Sequence, residues 1–115
     1  MEVLYRRIET LLQGITQIPL QNGNFYRYLG PVTTTINGNR FPAFLYEISP
    51  NNQKRVSINL IHSMYEQTLR TGTIPPRAEI FVLFPFELCS RPCNYTVAEF
   101  IVEQLILGDL RIQKY

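Results

Sequence analysis

The sequence predicts a single α+β domain that begins with a helix, continues with a three-stranded antiparallel β-meander and ends with a three-helix unit. Three observations predict this order. Apolar residues recur at helical spacing near both ends of the chain, the middle is rich in Thr, Tyr and Phe at extended spacing, and glycine or proline stands at the expected boundaries. The length of 115 residues suits one domain, 1–115, with its own core.

The first helix is predicted over residues 2–13, and Gly14 is expected to end it. Its apolar positions follow a helical repeat, whereas Arg6 and Arg7 are expected to face water. We interpret this helix as packing on the domain core. Contact of the Arg6 and Arg7 pair with DNA or a membrane surface is the alternative.

The β-meander is predicted over residues 24–49, where Asn37 and Gly38 form the dipeptide that best supplies two positive φ angles in a hairpin turn. Residues 49–54, SPNNQK, have the composition of a loop. Three strands are predicted in this region. The first begins at Phe25, the second covers Val32–Ile36, and the third covers Phe41–Ile48.

The helical unit is predicted over residues 57–112, with helices at Ser57–Thr71, Arg77–Phe84 and about 95–107. Gly72 and Gly108 are expected to end the first and third of these helices, and Pro85 the second. Thr96 and Glu99 have the spacing of a capping box at the start of the third. The segment GDLRIQKY after it is predicted as a strand.

This order of helices, turn and strand resembles the helix-turn-helix of a winged-helix domain, over about the C-terminal half of the chain. The resemblance implies that the last helix enters the major groove of double-stranded DNA. Asparagine can read adenine through two hydrogen bonds, and arginine can bridge phosphate oxygens. The residues that the resemblance places near bases are Asn94, Tyr95 and Thr96, and those that it places on phosphates are Arg91, Arg111 and Lys114.

The charge of the last helix favours a different class of function. Glu99 and Glu103 share one face of it, and carboxylates repel the phosphate backbone. Charged residues make up only 17% of the chain, and it contains seven Tyr and seven Phe, which suits a surface that a protein partner covers. The alternative is therefore a protein–protein interaction module, or a small subunit of a larger complex, without nucleic-acid contact.

A third hypothesis concerns single-stranded nucleic acid. Phe25, Tyr26 and Tyr28 would stack bases on the meander, with Arg27 and Arg40 as basic neighbours. This requires the aromatic rings to lie on an exposed sheet face. Burial in the core is the expected alternative for most of them.

No arrangement typical of an enzyme or a cofactor site is found in the sequence. His62 is the single histidine, and it stands on a predicted helix without a Cys, Ser or Asp at a telling distance. Cys89 and Cys93, with that one histidine, do not supply the four ligands of a structural zinc site. We expect a protein that is not an enzyme, with no cofactor or metal and with two reduced cysteines.

The net charge of +2 is below the strongly basic charge of many nucleic-acid-binding proteins. No apolar run reaches the roughly 18 residues that cross a bilayer, so we expect no membrane contact and a cytoplasmic protein. The sequence predicts a small non-enzymatic DNA-binding or regulatory protein that forms a homodimer. A protein partner without DNA is the alternative.

Overall fold

The structure is a computed structural model that describes residues 2–89 and 91–113. It confirms a mixed α+β fold with a helix at the N-terminus, an antiparallel sheet in the middle and helices after it. In chain order the elements are α1 Glu2–Leu11, β1 Gln17–Pro19, β2 Phe25–Ile36, β3 Asn39–Ser49, β4 Asn52–Ser57, α2 Ile58–Thr71, α3 Arg77–Leu83, α4 Pro85–Leu88 and α5 Cys93–Gln113.

The sheet has four strands in the order β1-β2-β3-β4, so the prediction of three strands is wrong. Two of the predicted strands are one continuous strand, β2, because its pairing with β3 only shifts register between Tyr28 and Gly30. The predicted loop at 49–54 is mostly a hairpin, since Asn51 takes a φ of 64° and β4 begins at the next residue. The short β1 pairs with the start of β2.

The turn between β2 and β3 confirms the hairpin that the sequence predicts. Asn37 has a φ of 51° and Gly38 a φ of 80°, so both residues adopt the left-handed conformation. Ile36 then pairs with Asn39 directly across the turn. This pairing fixes the register of the two longest strands.

Helix α2 also begins and ends where the sequence predicts. The Ser57 hydroxyl accepts a hydrogen bond from the Leu60 amide at the N-terminus, and Gly72, with a φ of 81°, closes the C-terminus. Pro85 was predicted to end the helix before it, but it also begins a further helix, α4. It occupies the first turn of α4, where a missing backbone donor has no cost.

Helix α5 is longer at both ends than the predicted 95–107. Amide hydrogen bonds to the carbonyls of Arg91 and Pro92 form its first turn, so Thr96 lies inside the helix and does not cap it. Gly108 is helical, and the predicted strand is helical as far as Gln113. The last two residues of that predicted strand lie outside the described part of the chain.

The core lies between one face of the sheet and the helices. It is built from buried apolar residues of α1, α2, α5 and the sheet, including Ile8, Phe44, Tyr46, Ile61, Met64, Ile101 and Leu105. Within the described residues, no helix is long and apolar enough to cross a membrane.

The prediction that Arg7 faces water is wrong, because its side chain contacts residues of α2 and α5. Its guanidinium lies 2.6 Å from the Asp109 carboxylate and donates hydrogen bonds to the Tyr65 hydroxyl and the Leu105 carbonyl. A Cβ added at Gly108 would lie 3.4 Å from the Arg7 Nη2 atom, so the guanidinium packs directly against this turn of α5. Arg7 therefore connects α1 to α2 and α5.

Candidate interaction surfaces

The residues predicted to contact DNA do not lie on one surface. Among those whose side chains are described, Arg91 is exposed, Asn94 is fully buried, and Tyr95 and Thr96 are half-buried. The backbone of Arg111 is helical, whereas Lys114 lies outside the described residues.

Asn94 belongs to a buried polar network. Its amide oxygen accepts a hydrogen bond of 2.5 Å from the Tyr46 hydroxyl, and its amide nitrogen donates one of 3.1 Å to the Glu87 carbonyl. With 0% of its surface exposed, Asn94 is not accessible to a base edge in this conformation. Its side chain instead joins β3, α4 and α5.

Glu87 extends this network to the start of α2. Its carboxylate accepts hydrogen bonds from the hydroxyl and the backbone amide of Ser57. Burial raises the pKa of Glu87, and the hydrogen bonds from Ser57 partly counter this effect. A polar residue in this position is stable because both of its oxygens have partners.

Tyr95 and Thr96 line an acidic cleft of about 590 Å³ together with Glu99 and Glu103. The Tyr95 hydroxyl donates to the Pro75 carbonyl and contacts Glu99. Burial and the Glu99 carboxylate raise the pKa of Tyr95 to about 12. The cleft therefore favours a cation or a neutral polar group over a phosphate.

Arg91 lies in a separate, basic cavity of about 330 Å³, whose other cations are Lys54 and Arg55. The hydroxyl-bearing residues Thr34 and Thr35 complete this lining with Gln53. Sequence reasoning did not single out Lys54 or Arg55, because 49–54 has the composition of a loop. The pairing of β4 with β3 places Lys54 and Arg55 on the same cavity as Arg91, and the polar run before Val56 gives no local signal for it.

Helices α3 and α4 expose four large apolar side chains. We call them the α3–α4 surface: Phe81 (38% exposed), Val82 (76%), Leu83 (58%) and Phe86 (76%). The opposite side holds the two helices in place, since Ile80, Glu87 and Leu88 are buried. Large apolar side chains that are exposed on neighbouring helices can mark an interaction site.

The aromatic residues of β2 do not form an open stacking face. Tyr26 packs against Tyr46 with ring centroids 5.7 Å apart, and Tyr28 packs against Phe44 at 6.5 Å. Of the three rings, only that of Phe25 is exposed, whereas Tyr26 and Tyr28 are partly buried. The packed pair supports the expectation that most of these rings belong to the core.

His62 and the cysteines do not assemble with other reactive groups in the described residues. His62 lies 3.6 Å from Glu66 on the same helix, and both side chains are open to solvent. Cys89 is exposed and Cys93 half-buried, and both are free thiols. Residues 2–89 and 91–113 contain no group of three or more His, Cys, Asp or Glu side chains placed to hold a metal ion.

In comparisons with known proteins, no protein-family model, no curated protein and no solved structure matches this chain. The resemblance to winged-helix domains therefore stays a prediction.

Proposed function

We propose that this protein is a non-enzymatic protein–protein interaction module that assembles with a second copy of itself through the α3–α4 surface. The observation that carries the proposal is the group of four large apolar side chains that face solvent on two consecutive helices. Removing such side chains from water is the main favourable contribution to association.

The size of this surface suits a dimer. Its four side chains expose roughly 400 Å² of apolar area. Residues Arg77, Ala78, Glu79, Pro85 and Cys89 are also exposed on or beside the same helices. A standard stable interface covers roughly 800 Å² per copy, so these residues would contribute the remaining area as a rim.

The charge of the rim does not oppose contact between two copies. Arg77 and Glu79 carry opposite charges, so the surface is close to neutral. A two-fold axis brings the same surface of both copies together, and a neutral surface meets no net repulsion in that arrangement. Val3 on α1 and Leu69 on α2 are single exposed apolar residues, which are ordinary for a protein surface, whereas α5 and β2 each expose two.

DNA binding through the start of α5 has less support. Asn94 is used inside the core, and Tyr95 and Thr96 face the cleft that contains Glu99 and Glu103. A groove of phosphates next to these carboxylates would be repelled.

Sedimentation velocity of the protein and two matched variants tests the proposal. Val82→Glu places a charge in the centre of the α3–α4 surface, whereas Val3→Glu makes the same change at an equally exposed position of α1. We expect dimers of the unchanged protein and of Val3→Glu at micromolar concentration, and at least a hundredfold weaker dimer for Val82→Glu.

Two results would overturn the proposal. One is an unchanged protein that remains monomeric at concentrations well above the micromolar range. The other is a dimer that Val3→Glu weakens as much as Val82→Glu does. Because both valines are open to solvent, circular dichroism of both variants should show an intact fold.

A further inference from the structure

Three cations line the basic cavity of about 330 Å³ between β2, β4 and the segment before α5: Lys54, Arg55 and Arg91. None of the acidic residues that the structure describes lines it. Among the described residues none of these three cations forms an ion pair, whereas Arg6, Arg7 and Arg27 each do. This cavity therefore concentrates positive charge in a chain whose net charge is only +2.

Hydrogen bonds to Thr33 orient the cations of this region. Arg55 donates from Nη1 to the Thr33 carbonyl at 2.9 Å. Arg40 donates from Nη2 to the Thr33 hydroxyl at 3.0 Å, which places a further cation on the neighbouring part of β3. A guanidinium has five N–H donors, so Arg55 keeps donors for a ligand after this contact.

One buried carboxyl group, that of Glu87, interacts electrostatically with Arg91. Burial raises the pKa of Glu87, the hydrogen bonds from Ser57 and the charge of Arg91 lower it in part, and Glu87 does not line the cavity. Like charges that share one cavity repel each other, and an anion between them removes this repulsion. The hydroxyls of Thr34 and Thr35 add neutral donors to the lining.

We propose that this cavity binds phosphate groups, with Arg91 and Arg55 donating to the phosphate oxygens and Lys54 supplying a third positive charge. Arginine matches phosphate oxygens with two parallel hydrogen bonds, and lysine binds them as a point charge. A cavity of about 330 Å³ has room for two linked phosphate groups. The phosphates belong either to a free phosphorylated compound or to a nucleic-acid backbone.

Isothermal titration calorimetry with sodium pyrophosphate at low salt tests the site. We expect binding to the unchanged protein, and about tenfold weaker binding to Arg91→Gln and to Arg55→Gln, since each loses charge-assisted hydrogen bonds. The matched control is Arg70→Gln, because Arg70 is an exposed arginine on α2 outside the cavity. Its affinity should equal that of the unchanged protein.

A fluorescein-labelled oligothymidine in a polarisation assay distinguishes the two sources of phosphate. If a nucleic-acid backbone occupies the cavity, the oligonucleotide binds, and the logarithm of its affinity falls with the logarithm of salt with a slope of about −2 for three contacts. Arg91→Gln should then reduce this slope by about 0.7. If a free compound is the ligand, pyrophosphate binds and the oligonucleotide does not.

Two outcomes would overturn the proposal. One is that neither pyrophosphate nor the oligonucleotide binds to the unchanged protein. The other is that Arg70→Gln weakens binding as much as the cavity variants do. That result would mean that pyrophosphate affinity depends on the net charge of the protein and not on the cavity. The cavity shares no residue with the α3–α4 surface, so loss of dimerisation does not decide this test.

Discussion

Replacing Asn94 by alanine should destabilise the fold strongly, because its side chain makes two hydrogen bonds inside the core. The substitution leaves the Tyr46 hydroxyl and the Glu87 carbonyl without this partner. Each buried polar group without a partner costs about 1–3 kcal/mol. The free energy of unfolding should therefore fall by about 2–5 kcal/mol, which corresponds to a loss of roughly 10–20 °C in Tm.

Urea denaturation followed by circular dichroism measures this effect. The control is Thr96→Ala on the same helix, for which no side-chain hydrogen bond is expected to be lost and the change should stay within about 0.5 kcal/mol. Tyr46→Phe removes only the hydroxyl and should cost about 1–3 kcal/mol, so it tests the network even where Asn94→Ala does not fold. A loss below about 1 kcal/mol for Asn94→Ala would refute the reasoning.

Three further predictions concern the contacts that hold the fold together. A double-mutant cycle of Arg7→Ala and Asp109→Ala should give a coupling of about 1 kcal/mol in urea denaturation, because their ion pair is partly buried. Additive losses would contradict this. The raised pKa of Glu87 means that its protonated form is favoured in the folded state, so its contribution to stability is present below its ordinary pKa and is lost as pH rises through the raised value. Compared with Glu87→Gln, the unchanged protein should thus lose stability from about pH 4 upward in thermal melts, and parallel curves would refute the assignment. Gly72→Ala should lower the free energy of unfolding by about 1 kcal/mol because of its positive φ, and an unchanged value would contradict the cap.

Local signals predicted the elements whose boundaries depend on neighbouring residues. The Asn37 and Gly38 turn and the helix from Ile58 to Gly72 are where the sequence places them, since positive φ and capping are short-range requirements. The strand β4 was not predicted, because Asn52–Ser57 has few apolar residues and the polar run before it has the composition of a loop, although its pairing partner β3 directly precedes it.

Helix α5 shows why a glycine in the sequence is not sufficient to predict where a helix ends. Gly108 has helix-ending chemistry, but α5 continues through it because Arg7 reaches across from α1 and contacts Leu105 and Asp109 on either side. The two residues are 98 and 102 positions from Arg7 in the chain, so no local pattern reports this contact. Tertiary contacts of this kind routinely override local preference.

The candidate site was predictable only in part for the same reason. Arg91 was singled out from its place before the last helix, and it lies in a basic cavity. Lys54 and Arg55 reach that cavity only through the pairing of β4 with β3. The exposure of Val82 and Phe86 depends on which side of α3 and α4 packs on the core, and an almost continuous apolar run does not reveal this.

Amide chemical shifts recorded by NMR over a dilution series test the α3–α4 interface most directly, because they report the backbone at each non-proline residue without a substitution. We expect the amides of residues 77–89 to shift with concentration while those of α1 and β4 stay unchanged. Spectra that do not change with concentration, or shifts centred on another surface, would contradict the account.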